Sequence, residues 1–151
     1  MRQILLISFI LSLSVISGCL LSSDSAELKK SDVEEVNTLE QVVLEVVEST
    51  VTPEGLTLRI VNSSDKAIRY NGAFSLEETI DGEWYVVNDV LGGKFEFADE
   101  GLGTESNSTT DIPIDWRGIY GEMDSGDYRI LFNVGDESGR YNLAAEFSIP
   151  Q

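Results

Sequence analysis

From Leu39 onward the chain alternates apolar and polar residues with a period of two, the spacing that puts successive side chains on opposite faces of a β-strand. "QVVLEVVEST" is rich in valine, and "LTLRIVN" sets Leu56, Leu58 and Ile60 on one face with Thr57 and Arg59 on the other; Pro53, Glu54 and Gly55 supply the turn between them. "AFSLEET" predicts a further strand, and Asp81-Gly82 predicts a two-residue hairpin leading into "EWYVVN". "KFEFAD" alternates with Phe95 and Phe97 inward, and "STTDIPIDW" is expected at a sheet edge because Pro113 has no amide hydrogen to donate. Near the end, "DYRILFNV" sends Tyr128, Ile130, Phe132 and Val134 to one side. "YNLAAEFSI" does the same with Leu143, Ala145, Phe147 and Ile149, and the loop from Asp136 to Arg140 joins the two. The pattern predicts seven to eight antiparallel strands and no long helix, hence an all-β fold built as a sandwich of two sheets.

The first forty residues have a different texture. Met1, Arg2 and Gln3 carry positive charge and are followed at once by "ILLISFILSLSVIS", the layout of a secretory signal. The apolar stretch from Ile4 to Ile16 is shorter than the roughly 20 residues a membrane-crossing helix needs, and Ser8, Ser12 and Ser14 dilute it. Ile16, Ser17, Gly18 and Cys19 then place a branched apolar residue and two small residues before the chain's one cysteine. This quartet resembles the lipobox of bacterial lipoproteins. The resemblance implies a diacylglyceryl group on the Cys19 sulfur, cleavage after Gly18, and an extracytoplasmic protein held on the cell membrane by palmitate-type chains. One fatty chain binds a bilayer marginally, at about 0.8 kcal/mol per buried methylene, whereas two or more anchor firmly.

"LLSSDSAELKKSDVEEVNT" follows, polar and charged, with no glycine, proline or aromatic residue. It reads as a flexible tether; Ser31 and Glu34 have capping-box spacing, but Val33 and Val36 alone cannot stabilise a helix. The expected organisation is a cleaved signal at 1–18, a lipidated tether at 19–38 with a coil reach of about 25 Å, and a folded unit at 39–151.

Removing the signal leaves 9 basic and 27 acidic residues, a net charge of −18. Such a surface repels nucleic acid and anionic headgroups, so no nucleic-acid partner is expected. The acids are spread along the chain rather than clustered, which favours a solvated surface, outside the cell or in a salty habitat, over a dedicated cationic partner. With Cys19 acylated no disulfide is possible, and stability has to come from an ordinary core, which about 110 residues can supply.

One local motif sharpens the sandwich. "DSGDYRI" runs Asp124, Ser125, Gly126, Asp127, Tyr128, Arg129, Ile130 and matches the D-x-G-x-Y pattern at the start of strand F in immunoglobulin-like domains, with Ile130 where the second cysteine would stand. The stretch "IDWRGIYGEMDSGDYRILF", together with "YNLAAEFSI", resembles a family of bacterial immunoglobulin-like domains of secreted and membrane-attached proteins. The matching positions are Trp116, Tyr120, Gly121, Gly126, Tyr128, Arg129, Phe147 and Ile149, with Trp84 after the earlier hairpin. The resemblance covers residues 42 to 150 and implies an immunoglobulin-like β-sandwich whose tyrosine hydroxyl bonds back to the chain as a tyrosine corner. It implies a fold rather than an activity.

The side chains hold little chemistry. There is no histidine, and the cysteine is accounted for, so Ser-His-Asp and Cys-His sites and histidine-based metal centres are excluded. Gly101-Leu102-Gly103 lacks the third glycine of a dinucleotide turn. Acidic loops at Asp99-Glu100, Asp124 to Asp127 and Asp136-Glu137 are read as turn formers rather than a calcium site. Trp84, Tyr85, Trp116, Tyr120 and Tyr141 are read as core and corner residues, with Trp84 and Trp116 filling the sandwich ends. No cofactor and no catalytic site are expected. Two functional classes remain. One is a lipid-anchored binding or adaptor module that meets an envelope protein, a polymer or a peptide, most simply by strand addition at a sheet edge. The other is an extracellular protease inhibitor using the loop from Ala98 to Ser108 as bait.

Overall fold

The computed structural model describes residues 28–97 and 101–151, so Cys19 and the rest of the signal lie outside the described residues, as do Ala98, Asp99 and Glu100. Nine strands are formed among the described residues: β1 (Val42–Val46), β2 (Gly55–Asn62), β3 (Ile68–Tyr70), β4 (Phe74–Ile80), β5 (Glu83–Val86), β6 (Leu102–Thr104), β7 (Ser108–Asp115), β8 (Gly126–Asp136) and β9 (Gly139–Ile149), with one helical turn, α1 (Arg117–Tyr120), before β8. All pairings are antiparallel. One sheet runs β1-β2-β7; in the other, β8 is flanked by β9 on one side and by β4 and β3 in succession on the other, with β5 beyond β4 and β6 beyond β3.

The faces predicted to be apolar are the ones that meet. Leu56, Leu58 and Ile60 from β2, Tyr128, Ile130, Phe132 and Val134 from β8, and Leu143, Ala145, Phe147 and Ile149 from β9 join a single buried cluster. Each buried aliphatic side chain contributes about 1.5–3 kcal/mol, so the cluster replaces the disulfide that this fold often carries. Asp81 and Gly82 both have positive φ, 52° and 81°, as the tight hairpin between β4 and β5 requires. Pro113 lies on the edge strand β7, opposite Thr57.

Two parts depart from the sequence-based expectation. The described part of "KFEFAD", residues 94–97, forms no strand: Gly92 and Gly93 take positive φ, the Asp89 carboxylate accepts the amides of Leu91 and Gly93, and Phe97 packs on Phe74 at 5.1 Å. Aromatic packing from a loop thus replaces ladder pairing there. The strands β3 and β6, three residues each, are too short to show a period and take part in the sheet instead.

The second departure concerns the segment expected to be tether. Residues 29–37 lie across the outer face of the β5-β4-β8-β9 sheet as a strap. The strap begins at the β5 edge, where the Val86 amide donates to the Lys29 carbonyl and the Ser31 amide to the Trp84 carbonyl, both at 2.8 Å. It ends at the β9 edge, where the Asn37 side chain pairs with Ala144 as a strand would, accepting its amide at 2.8 Å and donating to its carbonyl at 3.1 Å. Beyond it the chain turns through Gln41, at φ 61°, into β1.

Candidate functional site

The motif residues gather at one end of the sandwich and build it. Trp116 is fully buried; its indole donates to the Pro53 carbonyl at 2.8 Å and its ring packs on Phe147, which stacks in turn on Tyr128. The Tyr128 hydroxyl donates to the Asp124 carbonyl at 3.0 Å, the tyrosine corner the motif predicts. Burial, reinforced by the Glu78 and Asp124 carboxylates, pushes its phenol up to about 12. Gly126 is glycine because the Tyr128 ring lies over it: a Cβ there would stand 3.1 Å from the ring. Gly121, at φ 76°, closes α1, and Tyr120 packs beside Phe74 with its phenol raised mainly by burial. These five residues hold the sheets together and present no reactive group to solvent.

The outer sheet face holds the densest polar arrangement. Glu77 on β4 stands directly opposite Arg129 on β8, and the pair is buried, with 2% and 8% of each residue exposed. Arg129 Nε donates to Glu77 Oε2 at 2.6 Å, and the Ser31 hydroxyl of the strap donates to Glu77 Oε1 at 2.6 Å. Arg129 Nη2 reaches the same hydroxyl oxygen at 3.4 Å. The indole of Trp84 covers the guanidinium at 4.6 Å, a cation–π contact that takes this tryptophan away from the sandwich end where it was expected. A buried ion pair requires such completeness, because desolvating two charges costs several kcal/mol each unless hydrogen bonds replace the lost water.

Elsewhere the surface is less organised. An open groove of about 1050 Å³ lies between β3 and the β8–β9 turn, where β3 meets β8 at the single pair Arg69 and Gly135. Its walls mix Lys66, Arg69 and Arg140 with Asp65, Asp136 and Glu137, an arrangement that favours no ligand charge. Two of the loop acids have partners within the fold: Asp136 accepts the amides of Ser138 and Gly139, and Asp127 accepts the Ser148 hydroxyl. Among the described residues no three acidic, histidine or cysteine side chains come together to hold a metal ion, and no helix is long and apolar enough to cross a membrane.

Comparison with protein families decides the assignment: residues 38–148 match the family model described as a bacterial Ig-like domain. The chain belongs to that family. A search of curated proteins finds no match. Within this Ig-like domain the two sheets are β1-β2-β7 and the six strands β3, β4, β5, β6, β8 and β9, and the strap lies ahead of the matched residues. Sequence reasoning missed the Glu77–Arg129 pair, since alternate charged residues on a strand look like an ordinary solvent face. The available signal was the uninterrupted run Ile130-Leu131-Phe132, which requires cover on both sides of β8.

Proposed function

We propose that the protein is a lipoprotein held outside the cytoplasm by acylated Cys19, and that its Ig-like domain is a non-catalytic module that binds another envelope component through an extended segment. What supports the anchor is the Ile16-Ser17-Gly18-Cys19 quartet at the end of an export signal. What supports the binding role is one observation: an extended stretch of chain, residues 29–37, already rests on the outer sheet by backbone pairing at both edges. At the β5 edge, where Lys29 and Ser31 pair with Val86 and Trp84, that is the geometry of strand-type peptide recognition. With the strap docked, the described chain enters the domain on its β5 side at Lys29, ten positions after Cys19.

The inhibitor reading finds less support. Residues 102–104 of its bait loop are tied into β6 against β3, and Ser108 already begins β7. Photo-crosslinking on intact cells, with the label on the outer sheet, tests the binding role. A specific adduct to an envelope component is expected, and a chain that crosslinks to nothing at any surface position would refute it.

A further inference from the structure

The strap shows what the outer sheet is built to hold. Leu131 and Ala144 are 4% and 9% exposed, yet neither belongs to the core between the sheets. They face outward from β8 and β9, and their cover is the strap, whose Val33 and Val36 are half-buried. Ser31 supplies the hydroxyl between Glu77 and Arg129, and Asn37 supplies the amide that pairs with Ala144. The strap thus reads as a pattern: a hydroxyl, apolar residues two and five positions later, and an amide at the sixth.

Two of the seat's contacts are made without any strap residue. Arg129 binds Glu77 directly, and Trp84 covers the guanidinium. Among the described residues the strap's acids make no ion pair with the seat, and Asp32 pairs with Lys29 within the strap. Asp32, Glu34 and Glu35 are exposed on a folded unit, residues 39–151, that carries 7 basic and 22 acidic residues. Its one ion pair to the sheet, Lys30 with Glu83, is exposed and therefore weak.

We propose that this seat is the peptide-binding site of the module, that the strap is its resident occupant, and that the outside ligand is an extended basic segment of another envelope protein which takes the strap's place. Such a segment keeps the Ser, Val, Val and Asn pattern and carries lysine or arginine where the strap carries acids, gaining an attraction to the net-acidic folded unit that those acids do not have. This rests on the binding-module reading and specifies where and what it binds.

The test uses the mature chain with Cys19→Ser and a protease site inserted between Thr38 and Leu39, cut after folding. Two labelled peptides serve as probes: residues 28–38 as they stand, and the same peptide with Asp32→Lys, Glu34→Lys and Glu35→Lys. The cut protein is expected to keep its β-type circular dichroism and to bind both, the basic peptide at least tenfold more tightly at low salt. That advantage should collapse near 0.5 M salt, and Ser31→Ala in either peptide should weaken binding severalfold. In the uncut protein, the Ser31 and Val86 amides should exchange with solvent at least a hundredfold faster than those of the β8–β9 ladder. Loss of the fold on cutting, failure of either peptide to bind, or equal affinity of the two would overturn the proposal. A partner crosslinked elsewhere on the domain would then leave the binding-module reading standing without this site.

Discussion

Replacing Tyr128 with phenylalanine separates two consequences of one buried phenol. At neutral pH the change removes the hydrogen bond to the Asp124 carbonyl. Asp124 is exposed, so water can reach the freed oxygen, and the cost is that of one neutral hydrogen bond, about 1 kcal/mol. For a domain of this size that lowers Tm by about 4–6 °C. At alkaline pH the sign changes. The folded phenol ionises at about 12, against about 10 in the unfolded chain. Between those values the unfolded state gives up a proton that the folded state keeps, so wild-type stability is intact below pH 10 and falls through pH 12, by about 2–3 kcal/mol in all. The phenylalanine variant lacks this loss, and the raised phenol of Tyr120 is common to both proteins and cancels. Urea titrations followed by circular dichroism from pH 8 to pH 11.5 should find the variant less stable at pH 8 and the gap closing, then reversing, above pH 11. A constant offset across the range would refute the reasoning.

Arg129→Met leaves Glu77 buried without its partner and should destabilise the domain by about 3–5 kcal/mol, whereas the double change Glu77→Met with Arg129→Met should recover most of that loss in chemical denaturation. Gly126→Ala pushes a methyl against the Tyr128 ring and should cost about 1–2 kcal/mol, a loss that shrinks when Tyr128 is also replaced by a smaller residue. Trp116→Phe removes the indole donor to Pro53 and part of the core volume; a loss of about 2 kcal/mol is expected, with the 53–55 turn exchanging amide hydrogens faster.

The inward faces of β2, β8 and β9 were readable in the sequence because water on one side of a strand and core on the other impose the period of two. The tyrosine corner was readable because its glycine and tyrosine are tied by contact: the ring takes the space a side chain at 126 would fill. The outer face was not. Leu131 and Ala144 break the alternation because a third layer covers them, and that layer comes from a stretch whose composition is that of a linker. Its docking depends on Ser31 and Asn37 meeting partners 46 and 107 positions away, a long-range fit that no local pattern records. Phe95 and Phe97 misled in the opposite direction, since alternation produced by aromatic loop packing looks the same as that of a strand.

Anchoring outside the cytoplasm depends on the chemistry at Cys19. Mass spectrometry of the N-terminal peptide, taken from protein purified out of the membrane fraction, should find the chain beginning at Cys19 with a diacylglyceryl group on its sulfur, and Cys19→Ala should abolish that species and free the protein from the membrane. A mature chain that starts elsewhere, or an unmodified Cys19 thiol in membrane-bound protein, would contradict it.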